Sequence, residues 1–179
     1  MNWVAFFSQT GSEIVNICER INKWPNLIVS NRQDGFDKIN SKIVNGKSRV
    51  LFVEKKPTIQ RYREAIRDGS IVTLHGWLRI VPPEICDEYE IYNGHPGDIV
   101  TYPELKGKDP QQKAIDLGHK EAGCVLHKVT ATLDDGPIVA TSEKVFIQDR
   151  YEPEVFTALH DASVDMWVNF LKGKFNERS

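Results

Sequence analysis

The sequence predicts an α/β protein: a Rossmann-like open, mostly parallel sheet with helices on both faces, an appended antiparallel hairpin and a C-terminal helix. Three observations predict it. Short apolar segments alternate with stretches of helical periodicity from Trp3 to Tyr92, as successive βα units require. One segment, Ile71-Val72-Thr73-Leu74, is almost continuously apolar, as a strand buried on both faces in the middle of a parallel sheet must be. Beyond residue 97 the alternation stops, and two β-rich stretches follow, joined by the turn Leu133-Asp134-Asp135-Gly136-Pro137.

Each element has its own signal. Trp3-Val4-Ala5-Phe6-Phe7 reads as a buried strand, closed by the polar turn Ser8-Gln9-Thr10-Gly11-Ser12. Ile14, Val15, Ile17, Cys18 and Ile21 then fall at helical spacing. Residues 27–30 are a second strand; Phe36, Ile39 and Ile43 suggest a weak helix; residues 49–53 are a third strand. Pro57-Thr58 opens a helix carrying Ile59, Tyr62 and Ile66, which Gly69 stops. Residues 71–74 are the fourth strand, Pro82-Pro83 starts a short helix, and Ile91-Tyr92 supplies the fifth strand. Residues 97–112 lack periodicity and read as a long loop, a length often tied to function. A helix over residues 111–117 ends at Gly118, and residues 124–132 and 138–147 form the hairpin. Val155, Phe156, Leu159, Ala162, Met166, Trp167, Phe170 and Leu171 make an amphipathic C-terminal helix that Gly173 is expected to end. With no linker, repeat or low-complexity tract, one domain is expected over residues 1–179.

Composition narrows the class. The 179 residues suffice for a substantial core, and 40% hydrophobic with 27% charged residues is ordinary globular usage. A formal net charge of −2 gives no electrostatic case for nucleic acid or an anionic membrane. The densest basic cluster, Lys55, Lys56, Arg61 and Arg63, reads as a solvated helix face. Cys18, Cys86 and Cys124 match no metal or disulfide spacing and read as reduced core thiols. The first residues lack a signal peptide's basic flank, and no apolar run reaches membrane-spanning length. A soluble, cytoplasmic protein without a metal, monomeric or homodimeric, is the expectation.

Ligands of open α/β sheets bind beyond the carboxyl ends of the strands. The segments there are residues 8–12, 76–81 and 93–97. The last, Asn93-Gly94-His95-Pro96-Gly97, is the most informative. If it leaves a strand, alternation sends Asn93 and His95 to the same side. The carboxamide donates hydrogen bonds without titrating, whereas the imidazole titrates near neutrality. That pair suits a reaction in which an oxyanion appears and a proton moves. Taken singly, Asn-Gly is a turn, Asp-Gly-Pro a hairpin connector and a lone histidine structural; His75, His119, His127 and His160 keep that structural role.

The ordered set overturns the single readings. Leu74-His75-Gly76-Trp77-Leu78-Arg79-Ile80, then Asn93 to Gly97, then Gly123 with His127, then Leu133 to Ile138 resemble the folate-dependent formyltransferases. The resemblance covers roughly residues 3–147 and is strongest over residues 71–140. It implies the formyltransferase fold and transfer of a formyl group from 10-formyltetrahydrofolate to a primary amine of a small acceptor that bears phosphate. It further implies that Asn93, His95 and Asp134 are catalytic. Asn93 would donate to the oxyanion, protonated His95 would add a second donor, and Asp134 would support the imidazolium and help move the amine proton. The folate would lie along Trp77, Leu78, Arg79, Ile80 and Val81 and along Thr130, Ala131, Thr132 and Asp134. The acceptor would lie near Thr10, Gly11, Ser12, Pro96 and Gly97. His127 matches a family histidine, with a supporting role at most.

Two departures concern the acceptor side. The family's phosphate loop, of Ser-Gly-x-Gly-Ser type, is here Ser8-Gln9-Thr10-Gly11-Ser12, with a glutamine where a glycine stood. The segment after His95-Pro96 is Gly97-Asp98-Ile99-Val100-Thr101-Tyr102-Pro103, closer to enzymes that formylate nucleotide-linked amino sugars. Glycinamide ribonucleotide is the leading acceptor by precedent, with an amino sugar or modified nucleotide as the alternative. Hydrolysis of 10-formyltetrahydrofolate is a different class served by the same residues. A non-catalytic binder has no chemical need for Asn93, His95 and Asp134 together.

Overall fold

The computed structural model describes residues 2–132 and 135–177. In chain order, β1 (Trp3–Phe7) leads to α1 (Ser12–Ile21), then β2 (Leu27–Ser30), α2 (Ser41–Val44) and β3 (Arg49–Phe52). They are followed by α3 (Ile59–Ala65), β4 (Ile71–His75), α4 (Pro83–Glu88) and β5 (Glu90–His95). The second half holds α5 (Pro110–Asp116), β6 (Glu121–Ala122), β7 (Val125–Lys128), β8 (Ile138–Thr141), β9 (Val145–Phe146) and α6 (Glu152–Glu177).

Local chemistry accounts for several boundaries. The α3 N-terminus is capped by the Thr58 hydroxyl, which accepts from the Arg61 amide at 3.1 Å. Pro83 and Pro110 stand in the first turns of α4 and α5, where a missing N–H costs nothing. Gly11 caps α1 at φ 74°, a left-handed conformation suited to glycine.

The large sheet has the order β3-β2-β1-β4-β5-β7-β8. Strands β1 to β5 are parallel, β7 runs antiparallel to β5, and β8 runs antiparallel to β7. The predicted parallel sheet with an appended hairpin is therefore present. The winding reverses between β1 and β4, so a crevice opens over their carboxyl ends. Alternation along β1 divides the core. Trp3, Ala5 and Phe7 join Ile14, Ile17 and Trp167 beneath α1 and α6, whereas Val4 and Phe6 join Tyr62, Trp77 and Ile85 beneath α3 and α4. A third cluster joins Ile99 and Leu105 to Ala114, Val125, Val155 and Leu159.

The structure differs from the sequence expectation at five places. The weak helix near residues 36–43 is a 3-10 turn at Phe36–Lys38 followed by the short α2. Asn93, Gly94 and His95 do not leave the fifth strand; they are its last three residues, because they pair with His127, Leu126 and Val125 of β7. The long loop after Gly97 contains a 3-10 turn at Pro103–Leu105, anchored by the buried Leu105. The hairpin strands are shorter than drawn, and residues 145–146 pair instead with β6 in a separate two-stranded sheet. Gly173 does not end α6. The turn beyond it packs Phe175 5.5 Å from the Trp3 ring and lays Lys174 5.5 Å from the Tyr92 ring. Tertiary contact thus outweighs the ~1 kcal/mol that a helical glycine costs.

Candidate active site

A cavity of about 860 Å³ lies over the carboxyl ends of β4 and β5, inside the size range of small-molecule sites. Trp77, Leu78, Arg79, Ile80 and Val81 form one wall; Thr130, Ala131 and Thr132 form another; Asn93, His95 and Pro96 close the end. Thr10, Gly11, Ser12 and Gly97 are not on its wall, and the first loop reaches it only through Gln9. Asp134 lies outside the described residues.

Strand register brings the polar groups together. Asn93 pairs with Leu74 of β4 on one side and with His127 of β7 on the other. The His127 Nδ1 donates to the Lys128 carbonyl at 3.2 Å, which can only accept, so in the neutral ring Nε2 is an acceptor. The Asn93 Nδ2 donates to that Nε2 at 3.3 Å. The carboxamide orientation follows: its NH₂ faces His127, and one N–H remains for another acceptor.

His95 is buried, and its Nε2 donates to the Leu105 carbonyl at 2.9 Å. The 3-10 turn that looked like plain loop in the sequence therefore sets the tautomer of His95. Behind it, the buried Asp98 accepts from the Thr101 amide at 3.1 Å and pairs with Lys144. Burial alone would raise the Asp98 carboxyl, but Lys144 and Thr101 together hold it below its usual value. Gly97 packs so tightly that a Cβ there would stand 2.6 Å from the Pro110 Cβ and 3.3 Å from His95 Cδ2.

The wall of residues 77–81 is made rigid from behind. The Trp77 indole donates to the Tyr62 hydroxyl at 3.2 Å and meets the Phe6 ring edge-on at 5.1 Å. The Leu78 amide donates to the Ser8 hydroxyl at 3.0 Å, tying this wall to the first loop. Leu78 and Ile80 are 63% and 72% exposed, so they offer apolar surface with no protein partner covering it. In the hairpin that carries the other wall, Gly136 approaches the Lys128 carbonyl so closely that a Cβ would stand 1.7 Å from it. Lys106 pairs with Asp135 at 2.7 Å, joining the segment after Gly97 to the β7–β8 connection.

The first loop accommodates Gln9 without strain. Gly11 holds the positive φ of 74°, whereas Gln9 is absent from the positive-φ residues, so its Cβ meets no conformational penalty. The Ser12 amide is satisfied by the Thr10 hydroxyl at 3.3 Å. Arg32 donates to the Gln9 carbonyl at 2.5 Å and places a cation beside the loop.

Sequence reasoning missed several contributors. Gln9, Phe156 and residues 107–112 line the cavity. Phe156 had only the signal of one more apolar position on α6, and Lys108 and Asp109 none that separated them from loop. Arg32 was invisible because its target is a backbone carbonyl far along the chain. Among the described residues, no group of three or more His, Cys, Asp or Glu side chains is able to hold a metal, and no helix is long and apolar enough to cross a membrane.

A cavity over the carboxyl ends of the strands, closed by an oriented carboxamide and a buried imidazole, is the candidate site of this open α/β protein. The sequence matches the formyl transferase family over residues 1–171, and the chain belongs to that family. It is 28% identical to the phosphoribosylglycinamide formyltransferase of Escherichia coli over 152 residues, spanning 78% of this chain and 70% of that protein. It is 36% identical to a methionyl-tRNA formyltransferase of Brucella anthropi over 107 residues, but these span 58% of this chain and 33% of that protein. Among solved structures, phosphoribosylglycinamide formyltransferase from Bacillus halodurans superposes with a TM-score of 0.78 at 22% identity, covering 99% of this chain and 97% of that one. A formyltetrahydrofolate deformylase from Pseudomonas syringae superposes with the same TM-score of 0.78 at 21% identity, covering 99% of this chain and 62% of that one. At such identities the superpositions establish the fold alone.

Proposed function

We propose that the protein transfers the formyl group of 10-formyltetrahydrofolate to a primary amine of a small phosphorylated acceptor, with glycinamide ribonucleotide as the best precedent. One observation carries the reading: the Asn93 carboxamide, oriented by His127, lies beside His95 at the end of a cavity walled by the segments expected to hold folate.

The unprotonated amine attacks the formyl carbon, a C–N bond forms, and the carbonyl oxygen becomes an oxyanion. The remaining N–H of Asn93 donates to that oxygen, a contact typically worth about 10²–10³-fold in rate. His95, carrying a proton on Nδ1, adds a second donor. The amine then loses its extra proton, N10 of the folate gains one, and the C–N10 bond breaks as the oxyanion collapses. Asp134 has its role in this proton movement by family resemblance. General acid–base help of that kind is worth about 10²–10⁴-fold. The exposed apolar faces of Leu78 and Ile80 suit the pterin and its aromatic neighbour, and the Thr10–Ser12 loop with Arg32 suits the acceptor's phosphate.

Hydrolysis of the same donor is the second reading, favoured by the likeness to the deformylase structure. Incubation with 10-formyltetrahydrofolate, with and without glycinamide ribonucleotide and amino-sugar nucleotides, separates the two by following tetrahydrofolate release. Amine-dependent release is expected. Equal release without any amine assigns hydrolysis, and no release under any condition removes both readings.

A further inference from the structure

Gly94 stands between Asn93 and His95, so its absent side chain points to the opposite layer, where α6 packs. That space is taken. A Cβ at Gly94 would lie 2.9 Å from Trp167 Nε1 and 3.4 Å from both Cε2 and Cζ2. Trp167 is fully buried, and its indole N–H finds no acceptor among the described residues. A buried donor without a partner is costly, so hydrogen bonding does not explain why a tryptophan occupies this place. Its shape does, because the pyrrole edge reaches under the strand.

The ring is held from the other side. Its centroid lies 4.5 Å from that of His75, the residue that follows Leu74, the β4 partner of Asn93. His75 is clamped at both nitrogens, to Glu13 at 2.8 Å and to Thr73 at 2.8 Å. Thr73 also accepts from the Trp3 indole at 2.8 Å, and Ser163, on α6 with Trp167, donates to Glu13 at 3.0 Å. The chain of contacts runs from α1 through β4 to α6 and ends beneath the strand that carries the reacting groups.

We propose that Trp167, braced by the Glu13–His75 pair, is a positioning residue of the candidate site: its edge under Gly94 sets the height of Asn93 and His95. The inference rests on the proposed formyl-transfer chemistry for its rate readout and has a second readout independent of it. Gly94→Ala drives a methyl group into the indole, and Trp167→Leu removes the edge that it meets. The two changes are therefore expected to be coupled rather than independent.

The test compares the parent protein with Gly94→Ala, Trp167→Leu and the double variant. Measured are the melting temperature, the dissociation constant of 10-formyltetrahydrofolate, kcat, and the NMR signals of the Asn93 side-chain amide and the His95 ring. Gly94→Ala is expected to lower kcat by about tenfold and move both signals, with folate affinity within about threefold, while Trp167→Leu in that background recovers part of the loss. Independent, multiplicative effects on kcat, or Asn93 and His95 signals that stay in place in Gly94→Ala, overturn the proposal. If Gly94→Ala does not fold, Trp167→Phe alone decides: moved signals with the melting temperature retained support it, and unmoved signals overturn it. If the parent protein turns over no donor, the proposed function fails, while the NMR signals still decide the positioning.

Discussion

Asn93 and His127 show how one backbone carbonyl orients a neighbouring carboxamide. The Lys128 carbonyl takes the Nδ1 proton of His127, Nε2 is left to accept, and the Asn93 amide must turn its NH₂ towards the ring. Replacing His127 with phenylalanine keeps the ring's bulk and removes the acceptor. A hydrogen bond of this kind is worth about 1 kcal/mol net, so kcat is expected to fall by about three- to tenfold with KM for folate unchanged. Steady-state kinetics check this; an unchanged kcat would show that Asn93 does not need the contact. Asn93→Ala removes the donor itself and is expected to cost about 10²–10³-fold in kcat, and Asp134→Ala about two orders of magnitude or more. Retained folate binding in both variants distinguishes a chemical loss from a collapsed cavity.

At the scale of elements, the coupling of α1, β4 and α6 through Glu13 has a pH signature. Burial alone would raise the Glu13 carboxyl, but the hydrogen bond and charge of His75, with the Ser163 hydroxyl, pull it below its ordinary value. The ionised form therefore stabilises the fold. That contribution is fully present above the ordinary glutamate pKa of about 4.3 and is lost as the pH falls through the lower folded-state value. Glu13→Gln is expected to cost about 1.5–3 kcal/mol at neutral pH, with the gap to the parent protein closing as the pH falls below about 4. Denaturant titrations at pH 7 and pH 3 measure it; an equal loss at both would contradict the ionised pairing. The same network marks where the sequence was legible. Alternation in β1 and the apolar run of β4 disclosed the sheet, and the ordered motifs disclosed the cavity walls and Asn93 with His95. Glu13 read as an ordinary acid in a first helical turn and His75 as structural, because their pairing is a tertiary contact. Gly173 misled for the same reason: its local cost is real, and Phe175 packing on Trp3 overrides it.

Across the whole molecule, two of the three clusters of buried side chains hold the cysteines. Cys18, Cys86 and Cys124 are all buried, burial pushes all three thiols up, and for Cys124 the value reaches about 12. None is expected to react with a thiol-specific reagent at pH 8 in the native protein, whereas unfolding in guanidinium should expose all of them. A thiol titrating fast under native conditions would contradict the packing of α1, α4 or the start of β7, whichever holds it. The third cluster gives the segment after Gly97 a core of its own, through Ile99 and Leu105, and so makes the Leu105 carbonyl a fixed partner for His95. Core, strand register and loop thus converge on one pair of side chains, Asn93 and His95, whose expected action is on a formyl carbon. Supplying donor labelled with ¹³C at the formyl group, together with glycinamide ribonucleotide or an amino-sugar nucleotide, and following the carbon by NMR tests this most directly. The label is expected to appear as a new formamide on the acceptor, at a rate that collapses in Asn93→Ala. Label recovered only as formate, or untouched in the donor with every acceptor, would contradict formyl transfer at this site.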